Sequence, residues 1–467
     1  MPNLNQLNNK SAEIQLKLSH AWQVKGNLER AFLGYQEVLR LYPDYLPAYI
    51  YLGNLMLKEG RIDEAFQYYD QALSIDAEAV DLSDYYAYLG LIVQKSQESL
   101  PKNKSGEIQE NPAGKINLYH QKTFPFHRSG WSFAINALKP LHNSQGILFD
   151  GFLENTFSWQ HQHEGFRPAR ILEKMKQDGV FSQLATSEER GITNYNQPWV
   201  GFFHNPPGMP TWFHYQDSPQ RILAKEIWKK RINSCVGLFA LSEYQAQWLR
   251  EQTGKPVSTL IHPTEISEVQ FDFDKFIQNP QKKIVQIGWW LRKLNAIYQL
   301  PIAQDNPLNY EKIKLTPIFF DRAIEYLKTL TEKEKNVTQL EIEEKFFQNT
   351  KEIQRLANQD YDRLLSENIA FVDLYDSSAN NAVIECIARA TPILINPLPA
   401  VVEYLGKDYP MYFSNLSEAA EKALDTSLIM DTHEYLKNCD TRKKLSAEYF
   451  LKSFEESEVY QLIDLGK

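Results

Sequence analysis

FVDLYDSSANNAVIECIARATPILINPLPAVVEYLG, the sequence of residues 371–406, alternates apolar runs with one polar loop and one helical pattern. It predicts a strand, a short loop, a helix and a second strand, which together form a parallel βαβ unit. The loop after the first strand of such a unit lies at the carboxyl edge of the sheet, where open α/β sheets bind their ligands. Residues 371–406 therefore predict an α/β domain with a ligand site beside this loop.

The polar loop carries groups that suit a phosphate-bearing ligand. Ser377, Ser378 and Asn380 supply hydroxyl and capping groups just before a helix that begins at Asn381. The free N–H groups and the dipole of a helix start attract anions, and a diphosphate would fit there. Glu385, one turn further on, is placed to accept two hydrogen bonds from the vicinal hydroxyls of a ribose. The alternative is that Asn380 only caps the helix and that Glu385 lies on the surface, because polar loops are common in βαβ units.

Further apolar runs extend this pattern over residues 116–440. They are GILFD at 146–150, WVGFF at 199–203, CVGLFAL at 235–241, STLI at 258–261 and KIVQIG at 283–288. Strands that alternate with helices indicate parallel α/β units, and the length exceeds one typical doubly wound domain. We predict two Rossmann-like domains that face a cleft, residues 116–270 and 280–440. A charged helical insertion at about 316–366 with a solvated face and a C-terminal helix in 441–467 complete this part of the chain.

The N-terminal part of the chain contains an internal repeat. At an offset of 34 residues, Gly26 aligns with Gly60 and Tyr35 with Tyr69. This period and these residues resemble the tetratricopeptide (TPR) repeat, in which two helices are joined by a tight turn. The repeats run over 12–45 and 46–79, and a further helical stretch at 86–95 caps them.

Residues 12–95 therefore predict an all-α module, and the polar stretch 96–115 predicts a linker. Two roles of the module remain open: packing on the rest of the chain, or binding a peptide on its concave face.

Composition excludes several classes of protein. Lys and Arg number 50 and Asp and Glu 59, so the formal net charge of −9 gives no basic field for nucleic acid. The three cysteines are far apart and show no metal-ligand or disulfide spacing. No stretch of about 18 apolar residues is present, which predicts no integral membrane segment. These features together predict a soluble, cytoplasmic protein.

Residues 371–406 resemble the donor-binding half of GT-B glycosyltransferases, in particular the group 1 type that uses nucleotide-sugars. The pattern of that family has two glutamates eight residues apart, then a Pro, a strand, and another Glu before a Gly. Glu385, Pro392, Glu403 and Gly406 match, whereas Ser377 stands at the first glutamate. The resemblance implies that Glu385 holds the donor ribose and that Glu403 belongs to the donor site. Because the first glutamate contacts the transferred sugar in the family, nucleotide binding carries over better than sugar identity.

A second match to the same family is KKIVQIGWWLRKLNAIYQL, residues 282–300. In the family a strand ends in a Gly, here Gly288, and the Arg and Lys that follow neutralise the donor diphosphate as it leaves. The resemblance assigns this role to Arg292 and Lys293. Trp289 and Leu294 depart from the family pattern, which has Arg and Gly at these positions. The alternative is an ordinary pair of surface cations.

Histidines are candidate functional residues in two places. His204 ends the strand of PWVGFFHNPPGMPTWFHYQ, residues 198–216, and the resemblance places such a His near the acceptor or the transferred sugar. A structural role for His204 is the alternative. His161, His163 and Glu164 suggest a metal cluster, but their spacing favours a solvated loop. The resemblance implies no metal and no cofactor, since the nucleotide-sugar is the donor substrate.

Taken together, the sequence predicts a metal-independent glycosyltransferase of the hexosyltransferase class, with a TPR module that recruits a protein partner or acceptor. Two alternatives belong to other classes. One is a TPR-containing binding scaffold in which the GT-B region no longer turns over, because the first glutamate is absent. The other is a GT-B sugar-nucleotide epimerase, which needs no acceptor.

Overall fold

The computed structural model describes residues 4–25, 27–58, 68, 72, 111–118, 130–154, 156–157, 193–316, 321–340, 349–353 and 356–463. The chain divides into two compact units, Met1–Glu107 and Ile108–Lys467. In the part of the chain that is described, no helix combines the length and the apolar character needed to cross a membrane.

The first unit is helical. Its helices are α1 (Leu4–Val24), α2 (Leu28–Leu41) and α3 (Leu46–Lys58), and each packs against the other two. Helices α1 and α2 cross closely at Gly34, where a Cβ atom would lie only 2.2 Å from Oγ of Ser19. A glycine is therefore required where these helices meet.

The turn chemistry of this unit follows the repeat pattern. Asn27 caps α2 by accepting a hydrogen bond from the main-chain N–H of Arg30, and α2 ends two residues before Pro43. Ala31 is fully buried between the helices, as its small size predicts. The predicted capping helix at 86–95 lies outside the described residues, as do most of the second repeat after Lys58 and most of the linker.

The second unit contains two parallel sheets. The N-terminal sheet has the described strands β1 (Ile116–Asn117), β2 (Ile147–Asp150), β3 (Trp199–Phe202), β4 (Cys235–Ala240) and β5 (Val257–Thr259). Every pair is parallel and the spatial order is β1-β2-β3-β4-β5. Among the described strands of this sheet the order does not reverse.

The C-terminal sheet has a different order. Its strands are β6 (Lys283–Ile287), β7 (Glu311–Leu315), β8 (Thr350–Ile353), β9 (Ile369–Val372) and β10 (Ile393–Ile395). They are all parallel in the order β10-β9-β6-β7-β8. The first strand is central and the chain winds outwards in both directions, which is the doubly wound pattern. The order therefore reverses between β6 and β9, where such sheets bind ligands.

Helices connect the strands of the second unit and follow its last strand. In chain order they are α4 (Trp131–Ala137), α5 (Pro219–Leu223), α6 (Glu226–Arg231), α7 (Glu243–Thr253), α8 (Phe273–Gln278), α9 (Ala296–Gln299), α10 (Asp321–Thr338), α11 (Asn358–Ser366), α12 (Asn381–Arg389), α13 (Pro399–Leu405), α14 (Leu416–Leu424), α15 (Thr426–Asn438), α16 (Ala447–Glu456) and α17 (Glu458–Gln461). The predicted architecture, two parallel α/β domains preceded by a helical region, is confirmed.

The C-terminal segment returns to the N-terminal sheet. Phe450 and Phe454 of α16 are fully buried in the core of that sheet, and the ring of Phe454 stacks on Phe239 with 4.6 Å between centroids. The predicted single helix is divided, because Ser457 ends α16 and caps α17. The core of the first sheet is therefore completed by residues that follow the second sheet in the chain.

Candidate functional site

The carboxyl ends of the two sheets meet through the loop after β3 and the loop after β9. The main-chain N–H of Gly208 donates to Oδ2 of Asp376 at 2.6 Å, and the hydroxyl of Ser378 donates to the carbonyl of His204. Tyr244 also donates to Oδ2 of Asp376, at 3.1 Å. A Cβ atom at Gly208 would lie 2.5 Å from that oxygen, so this approach requires glycine. Asp376, which the sequence did not single out, thus joins the two domains.

The loop after β9 leads into α12 as predicted. Oδ1 of Asn380 accepts from the main-chain N–H groups of Ala382 at 3.0 Å and Val383 at 3.4 Å, so Asn380 caps the helix. Asn380, Ser377 and Ser378 are all buried, whereas Asn381 is exposed. The main-chain N–H of Ser377 donates to Asp376 at 2.8 Å. The capping role is observed, and the donor-binding role of these residues stays a prediction.

Arg292 lies beside this helix start. Its guanidinium donates to the carbonyls of Ile287 at 3.1 Å and Trp290 at 2.7 Å and to Oδ1 of Asn380 at 3.1 Å. Burial lowers the pKa of Arg292 to about 10, although Tyr361 and Glu385 act in the opposite direction. In the described part of the chain, no carboxylate lies within ion-pair distance of this guanidinium. A buried cation therefore sits at the switch point among neutral acceptors.

Gly288 makes room for that cation. Its φ of 78° lies in the left-handed region, and a Cβ atom there would lie 3.1 Å from Nη2 of Arg292. Leu291 adopts a positive φ of 56°, which a branched side chain rarely does. The loop after β6 is therefore shaped to fold the Arg292 side chain back against the strand end.

Lys293 does not share the surroundings of Arg292. Its ammonium pairs with Oδ1 of Asp373 at 2.9 Å and lines a pocket of about 540 Å³ together with Asn396 and Ser414. Neither Arg292 nor Asn380 lines that pocket. Residues 291–293 run antiparallel to 373–375, and neighbouring side chains of an extended segment point to opposite faces. The joint action of both cations on one diphosphate stays a prediction.

Glu385 is partly buried, and its carboxylate accepts a hydrogen bond from the hydroxyl of Tyr361. Burial raises the pKa of Tyr361 well above its usual value, and the nearby Glu385 adds to that rise. Behind them, Arg389 and Asp362 form a buried ion pair at 2.7 Å. Glu385 is thus oriented by a neighbour on α11 and is not a free surface side chain. Its contact with a ribose stays a prediction.

Glu403 contacts the start of a helix in the other domain, and its place in the donor site stays a prediction. Its two carboxylate oxygens accept the main-chain N–H groups of Glu243 at 2.6 Å and Tyr244 at 2.8 Å, which begin α7 in the other domain. A carboxylate at a helix start is stabilised by the free N–H groups and by the helix dipole. The next residue, Tyr404, donates to the carbonyl of Leu241 at 2.8 Å. In this structure Glu403 caps a helix across the domain junction.

His204 lies two residues after the end of β3 and is enclosed by aromatic rings. Its ring centroid lies 4.4 Å from that of Phe152 and 4.5 Å from that of Trp131. Burial lowers the pKa of His204 to about 3, and His262 contributes to the shift. The imidazole is therefore neutral at physiological pH. The structure brings His204 close to Ser378, as the prediction of a shared site requires.

Glu334 is a site residue that sequence analysis missed. It lies on α10, inside the charged insertion for which the sequence predicts a solvated face, yet it is fully buried. Its carboxylate accepts the main-chain N–H groups of Leu294 at 3.0 Å and Asn295 at 2.7 Å, the side-chain amide of Asn295 at 2.7 Å and the hydroxyl of Tyr375 at 2.7 Å. It ties α10 to the loops after β6 and β9. No local signal distinguishes Glu334 from the exposed glutamates of the same run.

In the described ranges, no three His, Cys, Asp or Glu side chains lie close enough together to hold a metal ion. The triplet His161, His163 and Glu164 lies outside the described residues.

A family model of the tetratricopeptide repeat matches residues 47–79. The chain carries a tetratricopeptide repeat. The match coincides with the second repeat predicted from the 34-residue offset, so the resemblance of the N-terminal module is confirmed there.

Other comparisons are more distant. The human protein O-mannosyl-transferase TMTC3 is 30% identical over 96 residues, which are 21% of this chain and 10% of that protein. This chain therefore spans about a tenth of the length of that relative.

Two solved structures are similar at low identity. A UDP-forming trehalose-phosphate synthase from Burkholderia vietnamiensis is 11% identical with a TM-score of 0.38, covering 55% of this chain and 66% of that one. Anabaena HepE in complex with UDP and glucose is 11% identical with a TM-score of 0.42, covering 56% and 72%.

Proposed function

We propose that the chain is a glycosyltransferase that moves a sugar from a nucleotide-sugar to an acceptor. The observation that carries this proposal is the buried guanidinium of Arg292 at the switch point of the C-terminal sheet. A buried charge without a counter-ion is costly, and an anion beside it repays that cost. The dipole of α12, whose N-terminal end lies at the same place, also favours an anion there. A diphosphate supplies the negative charge that both features favour.

The rest of the donor fits around this anion site. Glu385, oriented by Tyr361, is the acceptor for the ribose hydroxyls. Ser377 and Ser378 contribute hydroxyl groups at the loop, and His204 faces the transferred sugar or the acceptor from the other domain. Lys293, which pairs with Asp373, supplies a second cation for the same diphosphate. Leaving-group charge is then stabilised by Arg292, as in other transfers from a diphosphate donor.

The remaining features are part of the same proposal. The tetratricopeptide module recruits a protein partner or the acceptor, since such repeats form extended binding surfaces. Transfer proceeds without a metal ion, and the protein acts in the cytoplasm.

One observation favours the scaffold alternative. Ser377 replaces the first glutamate of the family pattern, and the loop that holds it is buried against the other domain by Asp376 and Ser378. An inactive scaffold would bind nucleotide without consuming the nucleotide-sugar, so turnover separates the two functions.

The test is a calorimetric titration of the full chain with UDP-, GDP-, ADP- and dTDP-sugars, followed by a hydrolysis assay with the donor that binds. Arg292→Met removes the cation and keeps the length of the side chain, so we expect at least tenfold weaker binding. The matched control is Arg363→Met, since Arg363 forms an exposed pair with Asp360 on α11. Equal affinity of both variants, or no binding of any nucleotide-sugar to the native chain, would refute the proposal.

A further inference from the structure

Five aromatic side chains with polar tips lie where the loops after β3 and β6 meet α10. The rings of the second loop, Trp289 and Trp290, have centroids 5.4 Å apart. His214 links them to the helix, since its ring lies 4.9 Å from that of Trp290 and 5.4 Å from that of Tyr326. We call the five rings the aromatic platform; they are Trp212, Tyr215, Trp289, Trp290 and Tyr326.

The platform is partly open to solvent. Its tryptophans and Tyr215 are half-buried, and Tyr326 is 42% exposed. Tryptophans that serve the core of the N-terminal sheet behave differently, because Trp199 and Trp228 are buried at 0% and 3% exposure. Packing of the core therefore does not account for the three tryptophans of the platform.

The aliphatic residues of this region lie inside. Four of the platform rings pack on a buried group, which consists of Met209, Phe213, Leu291, Leu294 and Leu330. Phe213 joins the two loops, because its ring centroid is 5.6 Å from that of Trp212 and 5.4 Å from that of Trp290. The solvent-facing side of the group thus consists mainly of rings that carry an N–H or O–H at one edge.

The backbone beside the rings is held in a costly conformation. His214 has a φ of 45° and Leu291 a φ of 56°, in the left-handed region that residues other than glycine rarely adopt. His214 directly follows Trp212 and Phe213, and Leu291 directly follows Trp289 and Trp290. Backbone strain of this kind is concentrated at binding and active sites, where it fixes side chains in advance. Both loops therefore present their tryptophans in a preset arrangement.

Polar contacts fix the platform further. The indole N–H of Trp290 donates to Oδ1 of Asn205 at 3.2 Å, and the hydroxyl of Tyr326 is hydrogen-bonded to Nε2 of His214. Residues 212–217 and 289–291 contain no Lys or Arg, and their one carboxylate, Asp217, is buried. The two loops therefore offer no cation to an acidic partner and no exposed carboxylate to a basic one.

We propose that the aromatic platform binds an uncharged carbohydrate chain, which is the acceptor. A sugar ring has an apolar C–H face and hydroxyl groups at its rim, so it matches aromatic rings with an apolar body and a polar tip. The platform adjoins the proposed donor site, because the carbonyl of Trp290 accepts from the guanidinium of Arg292 at 2.7 Å. This inference rests on the proposed function and names the chemical class of its acceptor.

A peptide acceptor matches the platform less well. Peptides dock on a free sheet edge or place apolar anchors in a groove. The platform belongs to two loops and a helix, and the aliphatic residues beneath it are already buried. A protein acceptor is therefore the competing outcome of the test.

The test is a titration of the nitrogen-15-labelled full chain with maltohexaose, cellohexaose, chitohexaose and mannohexaose, without nucleotide, observed by NMR at the indole N–H resonances. We expect at least one oligosaccharide to bind and to shift the resonances of Trp212 or Trp289. The resonances of Trp199 and Trp228 should stay in place, because both residues are buried elsewhere. Hexagalacturonate, a chain of similar length with carboxylates, should bind about threefold more weakly or worse.

A pair of variants examines the platform directly. Trp212→Ala removes one ring and should weaken oligosaccharide binding at least about tenfold, as truncation of a tryptophan at the centre of a contact surface does. Hydrolysis of the nucleotide-sugar without acceptor should continue in this variant, while transfer to the oligosaccharide falls. The matched control is Trp248→Ala, since Trp248 is half-buried against a different core cluster of the N-terminal sheet. If Trp212→Ala does not fold, the resonance shifts of the native chain decide the question.

Three results would overturn the inference: no binding by any of the four neutral oligosaccharides, shifts confined to tryptophans outside the platform, or equal losses of affinity in the two variants. If oligosaccharides bind and no nucleotide-sugar does, the proposed function fails while the platform stands. If nucleotide-sugars bind and are hydrolysed but no oligosaccharide binds, the platform assignment is wrong and the acceptor belongs to another class, such as protein.

Discussion

Replacing Glu334 should weaken the C-terminal domain far more than replacing a glutamate two residues away. In Glu334→Ala, the main-chain N–H groups of Leu294 and Asn295 lose their acceptor at a buried position, and so does the hydroxyl of Tyr375. Each buried donor left unpaired costs about 1–3 kcal/mol. The two main-chain groups alone therefore lower the free energy of unfolding by about 2–6 kcal/mol. At about 2–4 °C per kcal/mol, the melting temperature falls by at least about 4 °C.

The control is Glu332→Ala. Glu332 lies on the same helix, but its side chain is 64% exposed and pairs with Lys335 at 2.7 Å. Exposed pairs of this kind contribute about 0–1 kcal/mol. Glu334→Gln keeps one oxygen as an acceptor and should lie between the two.

Differential scanning calorimetry of the full chain gives the melting temperatures, and hydrogen exchange reports where protection is lost. We expect faster exchange in residues 288–295 for Glu334→Ala only. Equal melting temperatures for Glu334→Ala and Glu332→Ala, or unchanged exchange in that loop, would show that the carboxylate does not anchor α10.

Three other changes are predicted. Phe454→Ala should lower the free energy of unfolding by about 3–5 kcal/mol in a chemical denaturation experiment, because a fully buried ring is lost from the core of the N-terminal sheet. The control Tyr449→Ala, on the exposed side of α16, should lower it by under about 1 kcal/mol. Glu403→Ala should lower the melting temperature by a few degrees and leave nucleotide affinity unchanged in calorimetry; a tenfold loss of affinity would instead place Glu403 at the donor. Glu154 should make stability depend on pH: its pKa is raised from 4.5 to about 8, so the folded state holds a proton that the unfolded state releases, and stability falls as pH rises between these values. Glu154→Gln should flatten that part of the melting curve against pH, and an unchanged slope would contradict the assignment.

The regular elements of this chain could be predicted because their signals are local. The run of residues 371–406 folds as the strand, capped helix and strand that its periodicity indicates, and Asn380 caps the helix. The 34-residue offset identified the repeat that the family model matches at residues 47–79. The apolar period, the capping residues and the repeat length are patterns along the sequence, so they can be predicted without knowledge of the packing.

The partners of individual side chains depended on the tertiary structure. Arg292 and Lys293 are adjacent in the sequence, but their side chains lie in different surroundings. Arg292 donates to Asn380, whereas Lys293 pairs with Asp373. Glu403 matches a donor-site pattern and yet caps α7 in the other domain. Glu334 belongs to a charged run and is nevertheless buried.

The reason is the same in each case. The sequence by itself determined the helical repeat, the parallel α/β class and the loop at which a site would lie, because each follows from a pattern along the chain and not from contacts between distant segments. Only the tertiary structure decided which charges are buried and what they contact, because those contacts join segments far apart in the chain. The hydrogen bond of Arg292 to Asn380 and those of Leu294 and Tyr375 to Glu334 form only when the loops of the C-terminal sheet have packed together.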